Sequence, residues 1–286
     1  MRLLLKYLHP SNIGSYLFTV LNYFLLVAIM YYVLGYTKED SFATIGVLYV
    51  VCFLIAISPI GEFILRVSTG CKKIKDQNIY NRIIPLYMEV FNEAKKECNY
   101  IKKPFKLYIK YDNSINAFAV GRNTICIHSG LLQLDDGSIK GILAHEIGHH
   151  ASRDTTFLLV IAVTNMITNF IIVICHLLIQ LVSILLTAFI DRRRVGLIFF
   201  IRFILVLPFI LLTKLWQLLC NVLVAYSSRQ NEYEADEFAV TIGYGYELKH
   251  ALFLLDGSKV NYSWYESLFI SHPETHKRIA RIDAAI

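Results

Sequence analysis

The sequence predicts a mainly helical α+β membrane protein in which a metal-binding helix stands beside a small sheet. Three observations carry that expectation: four uncharged, apolar blocks of membrane-scale length, a short polar stretch between them with strand patterning, and the pentapeptide His145-Glu146-Ile147-Gly148-His149.

The chain has 286 residues, 56% of them hydrophobic and 17% charged, with a mean hydropathy of +0.50. Soluble domains carry roughly 25% charged residues. Here the apolar excess is gathered into blocks. No Asp, Glu, Lys or Arg lies between Lys6 and Lys38, and Ser41 to Gly61 is likewise uncharged. Each fits one crossing of about 20 residues. The first apolar core is too long for a secretory leader and no small-residue cleavage site follows it, so it reads as a retained anchor. The third block, Thr155 to Ile190, would be about 54 Å long as one helix. That exceeds a bilayer, so part of it is expected in the soluble domain or beyond a kink. The fourth, Val195 to Tyr226, is broken only by Arg202 and Lys214, whose long stems let them snorkel or pair.

This gives four regions. Residues 1–61 form an anchor of two spans, 62–154 the first part of a soluble domain, 155–226 an apolar helical hairpin of two expected spans inserted in that domain, and 227–286 its second part. Arg2 and Lys6 precede the first span, while Arg66, Lys72, Lys73, Lys75 and Arg82 follow the second against Asp76 alone. Lysine and arginine mark the cytoplasmic side, so the N-terminus and the soluble domain are expected in the cytoplasm, at an inner cell membrane, with Lys38 to Asp40 outside. The turn Asp191-Arg192-Arg193-Arg194 argues the other way, but the first spans usually dominate. The net charge of +6 follows from this topology. Its basic residues flank spans instead of forming one face interleaved with aromatics, so a lipid bilayer and no nucleic acid is the expected partner. The six cysteines (52, 71, 98, 126, 175 and 220) show no CxxC spacing and read as reduced, buried thiols.

Within the soluble stretch, Asn81 to Asn99 has helical spacing, with Ile83, Ile84, Tyr87, Val90 and Phe91 on one face and Pro85 near its start. Phe105 to Tyr111 reads as a strand. Asn116 to Val120 and Thr124 to His128 read as two more, joined by a turn at Gly121-Arg122-Asn123. Asp136-Gly137-Ser138 offers a helix start, with Ser138 as N-cap, and the helix runs to about Ala151.

On that helix His145 and His149, four residues apart, project from one face and can hold one Zn²⁺. Glu146 is rotated by about 100° from His145, beside the metal, where a general base takes a proton from activated water. Such a pattern also arises by chance, so its context decides. Catalytic zinc takes three protein ligands and keeps one position open. The segment Ser228-Arg229-Gln230-Asn231-Glu232-Tyr233-Glu234-Ala235-Asp236 supplies a second pair four apart. Glu232 can ligate, and Asp236 can accept the free ring N–H of a zinc histidine. Glu234 and Glu237 fit an acidic first turn better.

Four ordered motifs then carry a resemblance: Asn116-Ala117-Phe118-Ala119, His145 to His149, Ser228-Arg229-x-x-Glu232-Tyr233-x-Ala235-Asp236, and Ser271-His272-Pro273 with Arg278. They cover Lys106 to Ile282, and the chain resembles the HtpX branch of the membrane zinc endopeptidases, the superfamily that also holds the CAAX prenyl endopeptidases. Its HExxH with a later Glu four before Asp is similar to the gluzincin pattern. The resemblance implies a zincin-type metalloprotease domain with one Zn²⁺ per chain on His145, His149 and Glu232, and Glu146 as base. It implies that Asn116 to Ala119 lie beside the cleft, where an edge strand pairs with an extended peptide, and that His272 and Arg278 face the metal and stabilise the oxyanion. It further implies peptide or membrane-protein substrates, misfolded or damaged, cut near the cytoplasmic membrane face. The runner-up is a CAAX prenyl endopeptidase, a group with additional spans; a rival of another class is a non-catalytic membrane scaffold. His150 is expected to be a hydrogen-bonded surface residue, and His176 a packed or interhelically bonded ring in an apolar span.

Overall fold

A computed structural model describes residues 10–98, 101–152, 154–188, 195–255 and 274–286. Helices α1 (Ile13–Tyr32) and α2 (Lys38–Ile57) are the two expected N-terminal spans. Lys38, Glu39 and Asp40 are the first turn of α2, where Thr37 Oγ1 accepts from the Asp40 N–H at 3.1 Å. The two acids there meet the positive end of the helix dipole. After Ser58 alone the chain turns into α3 (Pro59–Ser68). A Cβ on Gly61 would stand 2.3 Å from the Ile55 carbonyl oxygen, so only glycine permits this corner.

A four-stranded sheet follows: β1 (Lys72–Lys73), β2 (Lys106–Lys110), β3 (Ala117–Val120) and β4 (Thr124–His128), in the order β1-β2-β4-β3. β2 runs parallel to β4 and β3 antiparallel to it, with Phe118 opposite Cys126. Gly121 takes φ +57° at the β3–β4 turn, a conformation that costs glycine nothing. β3 is therefore an edge strand. The sequence reading missed β1, whose two residues are both charged lysines without alternation.

Helix α4 (Gln77–Glu97) begins four residues before the expected start, because the Asp76 carboxylate accepts from the N–H groups of Asn78 and Ile79. Pro85 consequently lies inside the helix. A proline there removes one backbone bond at a cost of about 3 kcal/mol, offset by burial of Ile83, Tyr87, Val90, Phe91 and Ala94.

Helix α5 (Asp136–Ser152) carries the metal motif. Its cap is Asp135, not Ser138: the Asp135 carboxylate accepts from the Ser138 N–H at 2.9 Å and from the Ser138 hydroxyl at 2.6 Å. Helix α6 (Asp154–Ala188) carries the third apolar block as one helix of 35 residues, and it touches edge strand β3 of the soluble part. Helix α7 (Val195–Thr241) has 47 residues, about 70 Å of helix, and crosses the expected boundary at 227, so the last apolar block and the ligand segment are one rod. Two short helices close the fold, α8 (Gly245–Leu255) and α9 (Thr275–Ala285).

Among the described residues three helices are long and apolar enough to cross a bilayer, Ile13–Tyr32, Lys38–Ile57 and Ile210–Thr241; Ile167–Val182 in α6 is a shorter apolar stretch. Polar contacts join these helices. Thr168 Oγ1 donates to Asn22 Oδ1 at 2.7 Å, and the Ser15 N–H donates to Ser227 Oγ at 2.9 Å. At Gly14 the backbones of α1 and α7 approach until a Cβ would lie 2.3 Å from the Leu223 carbonyl oxygen. Small residues and side-chain bonds of this kind are what hold helices together in lipid, where apolar burial between them gains little. The soluble core is separate: Ile83 and Val90 of α4, Ile109, Ile125 and Ile127 of the sheet, and Ile139, Leu143 and Ile147 of α5 pack together.

Candidate metal centre

Helix α5 is wedged between α7 and α8. A Cβ on Gly141 would stand 2.3 Å from the Leu248 N of α8, so that face of the motif helix admits no side chain. On the remaining faces Ile139, Leu143 and Ile147 enter the core, and His145 and His149 meet side chains of α7.

There the three expected ligands meet. His145 Nε2 and His149 Nε2 are 3.2 Å apart, and Glu232 places its carboxylate oxygens 3.4 Å from the first and 3.6 Å from the second. Donors about 2.0–2.1 Å from a tetrahedral zinc stand about 3.3–3.4 Å from one another. The donor set and its spacing thus fit zinc. The rings of His145 and His149 are nearly perpendicular, at 84°. His145 and Glu232 are buried, as is Glu146 at 6% exposure. A carboxylate kept this dry, one residue from a candidate ligand, could serve in proton transfer.

Asp236 lies one turn beyond Glu232 on α7, and its Oδ1 is 2.9 Å from His145 Nδ1. A carboxylate only accepts, so Nδ1 carries the hydrogen and Nε2 presents its lone pair to the centre. Arg278, on α9, donates from Nε and Nη2 to the two Asp236 oxygens at 2.8 and 2.6 Å, while its Nη1 is 3.1 Å from Glu232 Oε2. Any action of Arg278 on a developing oxyanion starts from this engaged position. Burial and the Arg278 charge pull His145 down, yet the Asp236 and Glu232 acceptors prevail and raise it.

Of the other sequence-predicted residues, Asn116 to Ala119 lead into and form edge strand β3, with Ala117 buried and Phe118 half-buried. His272 lies outside the described residues. His150 is not on the surface as expected. It is buried, donates Nε2–H to the Thr124 carbonyl at 2.9 Å and stacks on Phe105 at 4.2 Å between centroids, so burial brings it down to about 4. His176 pairs within its own helix, with Gln180 at 3.1 Å. All six cysteines are free thiols.

Two contributors escaped the sequence reading. Asn231, beside Glu232, donates to Asn12 Oδ1 at 3.0 Å, which ties the start of the first span to the ligand helix. Gly148 lets α5 approach α7 closely at Ala235. A lone Asn and a glycine inside HExxH give no signal of either contact.

Residues 87–286 match Peptidase family M48. The chain belongs to that family. Among relatives of the M48 chain, a protease HtpX homolog from Tropheryma whipplei (strain Twist) is 31% identical over 201 residues, covering 62% of this chain and 65% of that protein. A CAAX prenyl protease 1 homolog from Taenia solium is 32% identical over 161 residues, covering 52% of this chain and 31% of that one. The crystal structure of S. mikatae Ste24p has the same fold, with a TM-score of 0.50 at 20% identity, over 94% of this chain and 64% of that one. The matches thus span under two thirds of these proteins. With its apolar helices, this M48 chain is a multi-pass membrane protein of the HtpX-like kind.

Proposed function

We propose that the chain is a zinc-dependent endopeptidase that cleaves peptide bonds near the cytoplasmic face of a membrane, with misfolded or damaged membrane proteins as substrates. The observation that carries the reading is the triangle of His145, His149 and Glu232, with mutual distances of 3.2–3.6 Å, in a chain of family M48. Zinc, when bound there, supplies a Lewis acid that polarises the scissile carbonyl and activates water at neutral pH. Glu146 takes the proton of the attacking water and passes it to the leaving amine. Asp236 keeps His145 in the ligating tautomer, and Arg278 offsets the charge gathered by Glu232 and Asp236. Edge strand β3 pairs with the extended substrate through its backbone, which asks little of side-chain identity. That tolerance suits damaged proteins of many sequences. The cytoplasmic side is supported by Arg66, Lys72, Lys73 and Lys75 after α2.

The test is digestion of a panel of membrane proteins by the wild type and by Glu146→Gln in detergent or proteoliposomes. Cleavage by the wild type alone supports the reading, and equal cleavage by both removes it. The match to the Taenia solium CAAX prenyl protease 1 homolog favours a second reading. A farnesylated CAAX peptide in the same assay, cut faster than any unprenylated substrate, would decide for it.

A further inference from the structure

Helix α3 is amphipathic with its faces reversed. Ile60, Phe63, Ile64 and Val67 recur at i, i+3, i+4 and i+7 and share one face. They are 67%, 59%, 54% and 64% exposed. The two charged residues of the helix, Glu62 and Arg66, point into the protein, with side chains only 13% and 17% exposed. In water this arrangement forfeits the burial of four large side chains while burying an ion pair, which gains little.

Both faces have a partner in view. Inward, Thr124 Oγ1 donates to Glu62 Oε1 at 2.5 Å, and Arg66 Nη1 donates to the same hydroxyl at 3.4 Å. Arg122, in the β3–β4 turn, donates to the Ile57 carbonyl at 3.1 Å. The helix is thereby tied to the hairpin that carries edge strand β3. Outward, the apolar face continues the exposed apolar surface of α2, where Val50, Val51, Phe53, Leu54 and Ile55 all stand exposed, and only Ser58 separates the two helices. Just past α3, Lys72, Lys73 and Lys75 are exposed, with Asp76 their only nearby acid in sequence.

We propose that α3 lies flat in the bilayer interface, with Ile60, Phe63, Ile64 and Val67 at the boundary of headgroups and acyl chains of an anionic leaflet, and so fixes β3 at the membrane surface. A helix with one apolar face, basic neighbours and a spanning helix directly before it has the chemistry for that position. The consequence is that substrate chain is captured where it leaves the bilayer. That consequence rests on the peptidase reading; the membrane seat does not.

The experiment places Phe63→Trp in the full chain, reconstituted in phosphatidylcholine vesicles with and without phosphatidylglycerol. Wild type, with its own two tryptophans, sets the background. The added emission should be blue-shifted and quenched several-fold more by lipids brominated near the glycerol than by aqueous iodide, more so with phosphatidylglycerol. Emission reached by iodide and untouched by bromolipid overturns the proposal. Emission shielded from both overturns it too, because a second copy of the chain then covers the face. In a second arm, Ile60→Glu with Phe63→Glu should lose about tenfold or more in kcat/KM on a membrane-tethered peptide and keep wild-type cleavage of the same peptide free in solution. Equal loss on both would overturn the coupling to β3. Absence of any wild-type cleavage would count against the peptidase reading alone, with the quenching result still deciding the membrane seat.

Discussion

Gly148 of α5 and Ala235 of α7 are in such close contact that a Cβ on Gly148 would lie 2.9 Å from the Ala235 Cα and 3.0 Å from its carbonyl oxygen. One residue either side of this crossing the chain carries chemistry, His149 on one helix and Asp236 on the other. The crossing therefore sets how far the histidines stand from the carboxylates. Gly148→Val has no room unless the helices part, and such overpacking costs about 1–3 kcal/mol. The variant should unfold at lower temperature and retain well under one zinc per chain after purification in detergent. Wild-type melting with full metal content would show that the crossing does not govern the site.

The two glutamates should separate cleanly. Glu146→Gln should keep its zinc and lose turnover, because an amide cannot take the proton of water. Glu232→Ala should lose the metal instead, having given up one of three ligands. Elemental analysis alongside a peptide-cleavage assay reads both. Appreciable turnover by Glu146→Gln would remove it as the base.

Asp236→Asn keeps the shape and an acceptor for His145 Nδ1–H but removes the charge that makes the ring a better ligand. Loss of such a supporting contact typically weakens metal binding by about 10–100-fold. Competition against a fluorescent zinc chelator measures it. An unchanged zinc affinity would mean that the 2.9 Å contact with His145 orients nothing.

Asp135→Ala removes the cap of α5 and should cost about 1 kcal/mol of stability, read as a lower melting temperature, with cleavage rate per zinc-loaded molecule unchanged. Ser138→Ala should cost less, since Ser138 donates to the cap and is not itself the cap. The reverse ranking would return the role to Ser138.

His272→Ala tests the oxyanion donor implied by the resemblance. Loss of one donor to the developing charge should lower kcat and kcat/KM together by about 10²–10³, leaving KM and zinc content near wild type. Wild-type kcat would remove His272 as an oxyanion donor.

Much of the site was legible because its parts are local. Two histidines four apart, or Glu232 and Asp236 four apart, share a helix face whatever the helix packs against, and each pair lies inside one element. The two N-terminal spans were legible because length without charge is enough to identify them. Boundaries were less so. Ser138 and Asp135 are both good caps by composition, and only the geometry of the first turn shows which carboxylate or hydroxyl reaches the free N–H groups. Likewise Pro85 suggested a helix start, until the Asp76 cap and the buried face of α4 carried the helix through it.

By itself, then, the sequence determined which side chains could act as ligands and base, which stretches were apolar enough for a membrane, and three of the four strands of the small sheet. These follow from periods of two and 3.6 residues and from composition, all short-range properties. Tertiary structure alone decided that α7 is one rod from apolar block to ligand, that Arg278 clamps Asp236 and Glu232, that His150 is buried against Phe105, and that α3 turns its charges inward and its apolar face out. Each depends on which surfaces the chain brings together over long separations, and that is settled by packing, where a missing Cβ at Gly148 counts as much as any charged group.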